Sequence, residues 1–108
     1  YLEENKLLVM ERSYSTGKVA NTIKVFIADL SLATNIISMP SLQEKVPEKL
    51  VQKKLLLNMD TLGIFTDNME GVTFGPRLPN GNKTLIFVSD NNFSAEEKTQ
   101  FLLFEVIP

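Results

Sequence analysis

The sequence predicts an all-β protein whose antiparallel sheets resemble two blades of a β-propeller, with short helical turns in the loops. Apolar runs rich in β-branched residues recur along the chain, and Thr22 to Leu30 (TIKVFIADL) is one of the clearest. Asn80-Gly81 indicates a hairpin turn, because this pair tolerates the positive φ that tight turns demand. Together these observations favour short strands joined by turns.

An internal repeat favours the propeller arrangement. Residues 5–15 (NKLLVMERSYS) run parallel to residues 83–94 (KTLIFVSDNNFS), allowing one gap, and residues 22–26 align loosely with residues 99–104. In both copies an apolar strand ends in polar residues, and an aromatic-Ser pair, a loop and a second strand follow. Repeated, doubly buried antiparallel strands are typical of propeller blades, whereas a β-sandwich would show similar strands without the repeat.

The first predicted blade covers about residues 1–62. Lys6 to Arg12 is its first strand, and the apolar run Leu-Leu-Val-Met inside it suits a strand that is buried on both faces. Ser13 to Asn21 has the composition of a loop, and Thr22 to Leu30 is the second strand. The chain therefore begins with two strands joined by a polar connection.

The remainder of this blade is less regular. In Ser31 to Gln52, two prolines prevent a long helix, and the sequence from Ser41 to Glu44 fits a capping box for one short helical turn. Lys53 to Leu62 (KKLLLNMDTL) suits either a helix or a buried strand. The strands on both sides favour a strand there, while the choice between the two stays open.

The second predicted blade covers about residues 63–108. Its strands are Met69 to Phe74, Leu85 to Val88 and Gln100 to Ile107, and the Asn80-Gly81 turn joins the first two. Polar residues follow the second strand. The blade is thus a hairpin with acidic and amide residues gathered at the end away from the turn.

Composition excludes several classes of function. The net charge is −2 and the basic residues are scattered, whereas non-specific nucleic-acid binding needs a concentrated basic surface. The sequence contains neither Cys nor His, which removes thiol chemistry, Ser-His triads and His-zinc sites. No apolar run approaches the roughly 20 residues that a membrane-spanning helix needs. Because the chain opens at Tyr1 almost directly into a strand, we expect a piece of a longer protein.

The register of the hairpin predicts that acidic residues meet at its open end. Centring the turn on Asn80 places Glu70 opposite Asp90, and it also pairs Val72 with Val88 and Phe74 with Ile86. Two carboxylates directly opposite each other repel unless a cationic side chain or a bound cation compensates. In a propeller, the end of the first strand of the chain would reach the same rim. The predicted rim cluster comprises Glu11, Arg12, Asp67, Asn68, Glu70, Asp90, Asn91 and Asn92.

Three roles are open for these polar side chains. Carboxylate and amide oxygens are the ligands that calcium takes. Paired carboxylates can also carry out acid–base catalysis when their environments separate their pKa values. Asp and Asn at strand ends also commonly hydrogen-bond their own backbone in Asx-turns, which would make the cluster structural.

The chain resembles the C-terminal part of the phytase-like family, whose activity is described as esterase-like. The resemblance rests on Asp67-Asn68-Met69-Glu70-Gly71, on residues 75–81 (GPRLPNG), on residues 88–93 (VSDNNF) and on residues 99–102 (TQFL). Residues 8–14 (LVMERSY) also look like an earlier strand of that family. The resemblance covers most of the chain and is weak across Ser31 to Gln52.

The resemblance implies a bacterial β-propeller that is exported to the periplasm or the exterior and that hydrolyses phosphate or carboxylic esters. The family's acidic and polar positions, carried over by motif, fall on Glu11, Arg12, Asp67, Asn68, Glu70, Asp90 and Asn91. A whole domain of this kind needs more blades than this chain supplies.

Two hypotheses for function follow. In the first, the chain is part of a hydrolase in which Glu70, Asp90 and Arg12 are catalytic. A calcium ion would then be held by Glu11, Asp67, Asn68, Glu70, Asp90 and Asn91. In the second, it is a non-catalytic propeller fragment that serves as a binding or assembly module, with homodimers formed by pairing of exposed blade edges.

Overall fold

A computed structural model of the chain describes residues 1–13 and 22–108. The predicted loop after Ser13, which includes Tyr14, falls outside these described residues. Within residues 1–13 and 22–108, the secondary structure consists of six strands and one short 3₁₀ helix. The strands are β1 (Lys6–Ser13), β2 (Thr22–Asp29), β3 (Gln52–Asn58), β4 (Met69–Phe74), β5 (Lys83–Ser89) and β6 (Gln100–Val106), and the helix is η1 (Met59–Leu62).

The strands form two three-stranded sheets, in the orders β1-β2-β3 and β4-β5-β6. The pairings of β2 with β3 and of β5 with its two neighbours are antiparallel. The predicted all-β class is therefore confirmed. The assignment of the sheets to blades of a propeller stays a prediction.

The chain divides into two compact units. The first comprises Tyr1–Glu11 and Lys24–Asn58, and the second comprises the described residues of Arg12–Ile23 and Met59–Pro108. In the first unit, Val25 and Ala28 of β2 are buried. They are three residues apart, so they do not follow the alternation of a single face of the strand.

The second unit is built around β5. Leu85, Phe87 and Ser89 alternate along this strand and are buried, together with Met69 of β4. The rings of Phe87 and Phe104 meet edge to face, with centroids 5.5 Å apart. This packed face fixes β4 and β6 on either side of β5, which positions the polar residues at the end of the sheet.

Two segments between β2 and β4 show how the less regular part of the chain folds. Leu55 and its neighbours belong to β3, as the sequence favours, and the chain then turns into η1, so Lys53 to Leu62 contains both a strand and a helical turn. The hydroxyl of Ser41 accepts hydrogen bonds from the amides of Gln43 (3.1 Å) and Glu44 (3.4 Å). The predicted capping contact is present, and residues 42–44 form a turn that does not extend into a helix, in keeping with Pro40 and Pro47 on either side.

The register predicted for the β4–β5 hairpin is wrong by one residue. Val72 lies opposite Phe87 instead of Val88, and Phe74 lies opposite Leu85 instead of Ile86. The turn itself is centred on Asn80 as predicted, but beyond it two residues of the first strand face one residue of the second. Such a bulge suits a segment containing proline, which has no N–H for the ladder. Two backbone hydrogen bonds of 3.0 Å bracket it, from Leu78 to Asn82 and from Gly75 to Thr84.

A second irregularity lies at Glu70. Met69 pairs with Ser89, and Gly71 pairs with Val88, so Glu70 has no partner across the ladder. The predicted pairing of Glu70 with Asp90 is therefore wrong. Bulges re-aim side chains and increase the local twist of a strand, and here the bulge frees Glu70 from the alternation of β4.

Candidate active site

Arg12, Asn68 and Glu70 are joined by hydrogen bonds, and these three residues are called the polar cluster below. Nη1 of Arg12 donates to Oδ1 of Asn68 at 2.8 Å and to Oε1 of Glu70 at 3.4 Å. Nδ2 of Asn68 donates to the same Oε1 at 3.2 Å. The structure thus brings together three of the residues that the sequence predicts for the rim.

The polar cluster keeps groups that a ligand can use. Arg12 donates through Nη1 in both of its hydrogen bonds, and Glu70 accepts through Oε1 in both of its own. Among the described residues, Oε2 of Glu70 and the remaining guanidinium nitrogens form no further hydrogen bond. The Arg12–Glu70 ion pair is also exposed, with 42% and 39% of the two side chains accessible, so it contributes only about 0–1 kcal/mol to stability.

Asp67 has a structural role. Its side chain is only 9% exposed, and both of its oxygens accept backbone hydrogen bonds. Oδ1 accepts from the amide of Asn68 at 2.7 Å, and Oδ2 accepts from the amide of Lys98 at 2.6 Å. The carboxylate therefore ties the start of β4 to the segment before β6. These contacts go to the next residue and to a distant segment, so they differ from the Asx-turn that the sequence left open. The predicted role of Asp67 as a metal ligand stays a prediction.

Ser89 and Gln100 complete this connection, and neither residue was predicted from the sequence to have a role here. Ser89 is fully buried, and its hydroxyl donates to the carbonyl of Lys98 at 2.7 Å and accepts from the amide of Gln100 at 3.0 Å. The side chain of Gln100 accepts from the amide of Asp67 at 3.0 Å and donates to the carbonyl of Phe65 at 2.9 Å. A serine on the apolar face of a strand was the signal that could have revealed this role.

Asp90 lies at the same end of the sheet as the polar cluster. It follows Ser89, which pairs with Met69, the residue between Asn68 and Glu70. Its side chain is exposed and forms no hydrogen bond or ion pair with any residue that the structure describes. Asp90 thus offers a whole carboxylate to solvent beside the start of β4.

Asn91 and Asn92 shape the loop that follows. Oδ1 of Asn91 accepts from the amide of Phe93 at 3.2 Å, which is an Asx-turn. Nδ2 of Asn92 donates to Glu97 at 2.6 Å, and the backbone of Asn92 and Phe93 is left-handed, with φ of 48° and 57°. The oxygen of Asn91 that was predicted to bind a cation is therefore engaged within the loop.

Glu11 is engaged within the first unit. Its carboxylate forms an ion pair with Lys53, whose ammonium group lies 4.4 Å from the centroid of the Phe26 ring. This contact combines an ion pair with a cation–π interaction. The predicted role of Glu11 as a metal ligand stays a prediction.

The described residues contain no group of three or more carboxylates close enough to hold a metal ion. Of the predicted ligands, Asp67 already uses both oxygens on backbone amides, while Glu70 and Asp90 retain oxygens that a cation can use. Calcium accepts carboxylates together with water molecules, so a site supplied by these two residues alone would be largely hydrated.

A family model described as phytase-like, with esterase-like activity of phytase, matches residues 1–93. The chain belongs to this family. No curated protein and no solved structure matches it. Within the described part of the chain, no helix has the length and apolar character that crossing a membrane requires.

Proposed function

We propose that this chain is part of an exported, phytase-like β-propeller that hydrolyses phosphate or carboxylic esters at the polar cluster and Asp90. The membership of the family supports the reaction class. The observation that carries the location is the hydrogen-bonded set of Arg12, Asn68 and Glu70, which keeps a cationic fork and a carboxylate oxygen side by side.

The proposed roles follow from the geometry of each group. Arg12 binds negative charge on the oxygens of the ester, because guanidinium nitrogens match phosphate and carboxylate oxygens. Oε2 of Glu70 accepts a proton from the attacking water, while Asn68 holds Oε1 at 3.2 Å and fixes the carboxylate. Asp90 and Glu70 together are the groups that would hold a calcium ion. Such an ion, when bound, would polarise the ester and neutralise its charge.

Hydrolysis assays on the protein that contains this chain test the proposal. We expect turnover of a chromogenic phosphodiester or carboxylic ester, and we expect Glu70→Gln and Asp90→Asn each to lose most of it. Glu96→Gln is the matched control, because Glu96 is an exposed acid of the same unit outside the cluster. Full activity in both cluster variants would contradict the assigned roles.

Calcium binding needs a separate measurement. Anything that binds only the folded state raises its stability, so millimolar calcium is expected to raise the thermal midpoint. Asp90→Asn should reduce this shift, and Glu96→Gln should keep it. An unchanged midpoint of the unmodified protein would refute the calcium part of the proposal, even if hydrolysis is observed.

A second function, as a non-catalytic assembly module, is favoured by the free edge of the second sheet. β6 is an outer strand of its sheet, and Phe101 and Leu103 on it are 70% and 65% exposed. Exposed apolar edge strands pair readily with other strands, including those of a second copy. Sedimentation should then show a dimer that Leu103→Lys dissociates, and a monomer at high concentration would count against this function.

A further inference from the structure

Two cationic side chains, Arg77 and Lys83, lie beside open clefts at the turn end of the β4–β5 hairpin. One cleft of about 220 Å³ is lined by Phe74, Gly75, Arg77 and Lys83. A second of about 260 Å³ is lined by Arg77, Gly81, Asn82, Lys83, Val106 and Pro108. Both clefts share the two cations, and neither lining includes an acidic side chain.

The positive charges at these clefts are not neutralised by the described residues, since neither Arg77 nor Lys83 forms an ion pair with any of them. Glu105 is the acid closest along β6, but it pairs with Thr84, whereas Lys83 pairs with Val106. Paired residues share a face and successive residues alternate, so Glu105 lies on the face opposite Lys83. Oε1 of Glu105 accepts hydrogen bonds from Asn80 (2.8 Å) and Asn82 (2.7 Å), and Asn82 lines the second cleft, so this carboxylate adjoins that cleft. The lining of the first cleft includes neither Asn82 nor Glu105, so an anion that enters it meets the two cations away from that carboxylate.

The hairpin also holds both cations in place. Nη1 of Arg77 donates to the carbonyl of Gly81 at 2.9 Å, which ties the guanidinium to the turn and leaves its other nitrogens for a ligand. The ammonium group of Lys83 lies 5.6 Å from the centroid of the Phe74 ring. Little side-chain ordering is then left for a ligand to impose, which favours binding.

We propose that these clefts form a binding site for the phosphate group of a small phosphomonoester. Two fixed cations match the double negative charge of a phosphate, and the guanidinium fork matches its oxygens. The ring of Phe74 supplies an apolar wall for the organic part of the ester. This site is separate from the polar cluster, because Phe74 lies four residues beyond Glu70 along β4, which is about 13 Å at roughly 3.3 Å per residue.

The test is an amide NMR titration with phenyl phosphate and, separately, with inorganic phosphate at low salt. Phenyl phosphate should cause saturable shifts at the amides of Gly81, Asn82 and Lys83, with an affinity several-fold above that of inorganic phosphate. Arg77→Gln and Lys83→Gln should each weaken binding by about tenfold, a typical loss for one charge-assisted contact. The double variant should not bind.

Lys45→Gln is the matched control, because it removes an exposed cation that belongs neither to the clefts nor to the polar cluster, and it should leave these shifts unchanged. Each variant is used only if its NMR spectrum retains the dispersion of the folded protein. If Arg77→Gln unfolds, Arg77→Lys replaces it, because lysine keeps the positive charge but lacks the guanidinium group. Binding by the folded double variant as tight as that of the original protein would overturn the site. Equal affinity for inorganic phosphate and phenyl phosphate would overturn its assignment to an ester.

Discussion

Replacing Asp67 with Asn tests whether this carboxylate holds the end of the sheet together. The carboxylate is 9% exposed and accepts hydrogen bonds of 2.7 and 2.6 Å from two backbone amides. An Asn side chain can accept only one of them and turns its own NH₂ toward the other. A hydrogen bond to a charged group contributes about 1.5–3 kcal/mol, so the free energy of unfolding should fall by about 2–3 kcal/mol.

Urea denaturation followed by circular dichroism measures this loss. For a small protein, a slope of about 1–3 kcal/mol per molar urea converts the expected loss to a midpoint shift of about 0.7–3 M. Asp90→Asn is the matched control, because Asp90 is exposed and makes no contact of this kind with the described residues, so its effect should be within about 0.5 kcal/mol.

The same pair of variants separates a structural role from a metal-binding one. If Asp67 acts only through backbone amides, the loss should be equal in calcium and in a chelator. A loss below about 0.5 kcal/mol would refute the structural role of Asp67. A loss that is present only in calcium would assign Asp67 to the metal instead.

Three further predictions concern the second unit. Thr84→Val should lower the unfolding free energy measured by urea denaturation by about 1–3 kcal/mol, because the buried hydroxyl of Thr84 donates to the carbonyl of Pro76 at 2.6 Å. Thr73→Val is the control, and since Thr73 is exposed its effect in the same assay should be near zero. Gly75→Ala should also destabilise, by about 1–3 kcal/mol, since an added Cβ would lie 2.5 Å from Oγ1 of Thr84; an unchanged urea midpoint would contradict that geometry. The pKa of Glu105 should lie below its ordinary value, because Asn80 and then Asn82 donate to the carboxylate. Any stability that the hydrogen-bonded Glu105 carboxylate contributes is therefore present above the ordinary glutamate pKa, and it is lost as the pH falls through the lower pKa of the folded state. In the double variant Asn80→Ala/Asn82→Ala, a carboxyl NMR titration should show that the pKa of Glu105 is no longer lowered.

The strands were predictable because local chemistry determines them. The apolar alternation of β2 and the run from Met69 to Phe74 each produce a strand at the expected residues, and Asn80-Gly81 produces the turn, with a φ of 85° at Gly81. Such patterns act over a few residues, so a sequence reveals them without knowledge of the rest of the fold.

The register was not predictable from the turn alone. A bulge at Pro76 and Arg77 shifts the pairing of β4 with β5 by one residue. A second bulge, at Glu70, removes the Glu70 side chain from the alternation of β4. Counting outward from the turn without a bulge places Glu70 opposite Asp90, whereas the structure does not pair these two residues. The error matters because a shift of one residue turns every side chain to the other face of the sheet. The proline at position 76 favours a bulge there, but neither the turn nor the apolar pattern indicates the second bulge at Glu70.

The polar residues of the site were predictable from the sequence, but the role of each residue was not. Sequence placed Arg12, Asn68 and Glu70 on one rim, and their hydrogen bonds join them. The sequence does not reveal that the carboxylate of Asp67 accepts hydrogen bonds from backbone amides, because one of these bonds depends on where the amide of Lys98 lies in the fold. Burial and hydrogen bonding, which are three-dimensional, decide which carboxylates stay free for chemistry.

The specificity constant for ester hydrolysis by Glu70→Gln, measured together with its unfolding free energy, tests the proposed site most directly. Loss of a general base costs about 10²–10⁴-fold in rate, so the constant should fall at least 100-fold. The stability should change by no more than about 1 kcal/mol, since the Arg12–Glu70 ion pair is exposed. A Glu70→Gln protein that hydrolyses the ester as fast as the original would contradict the central claim.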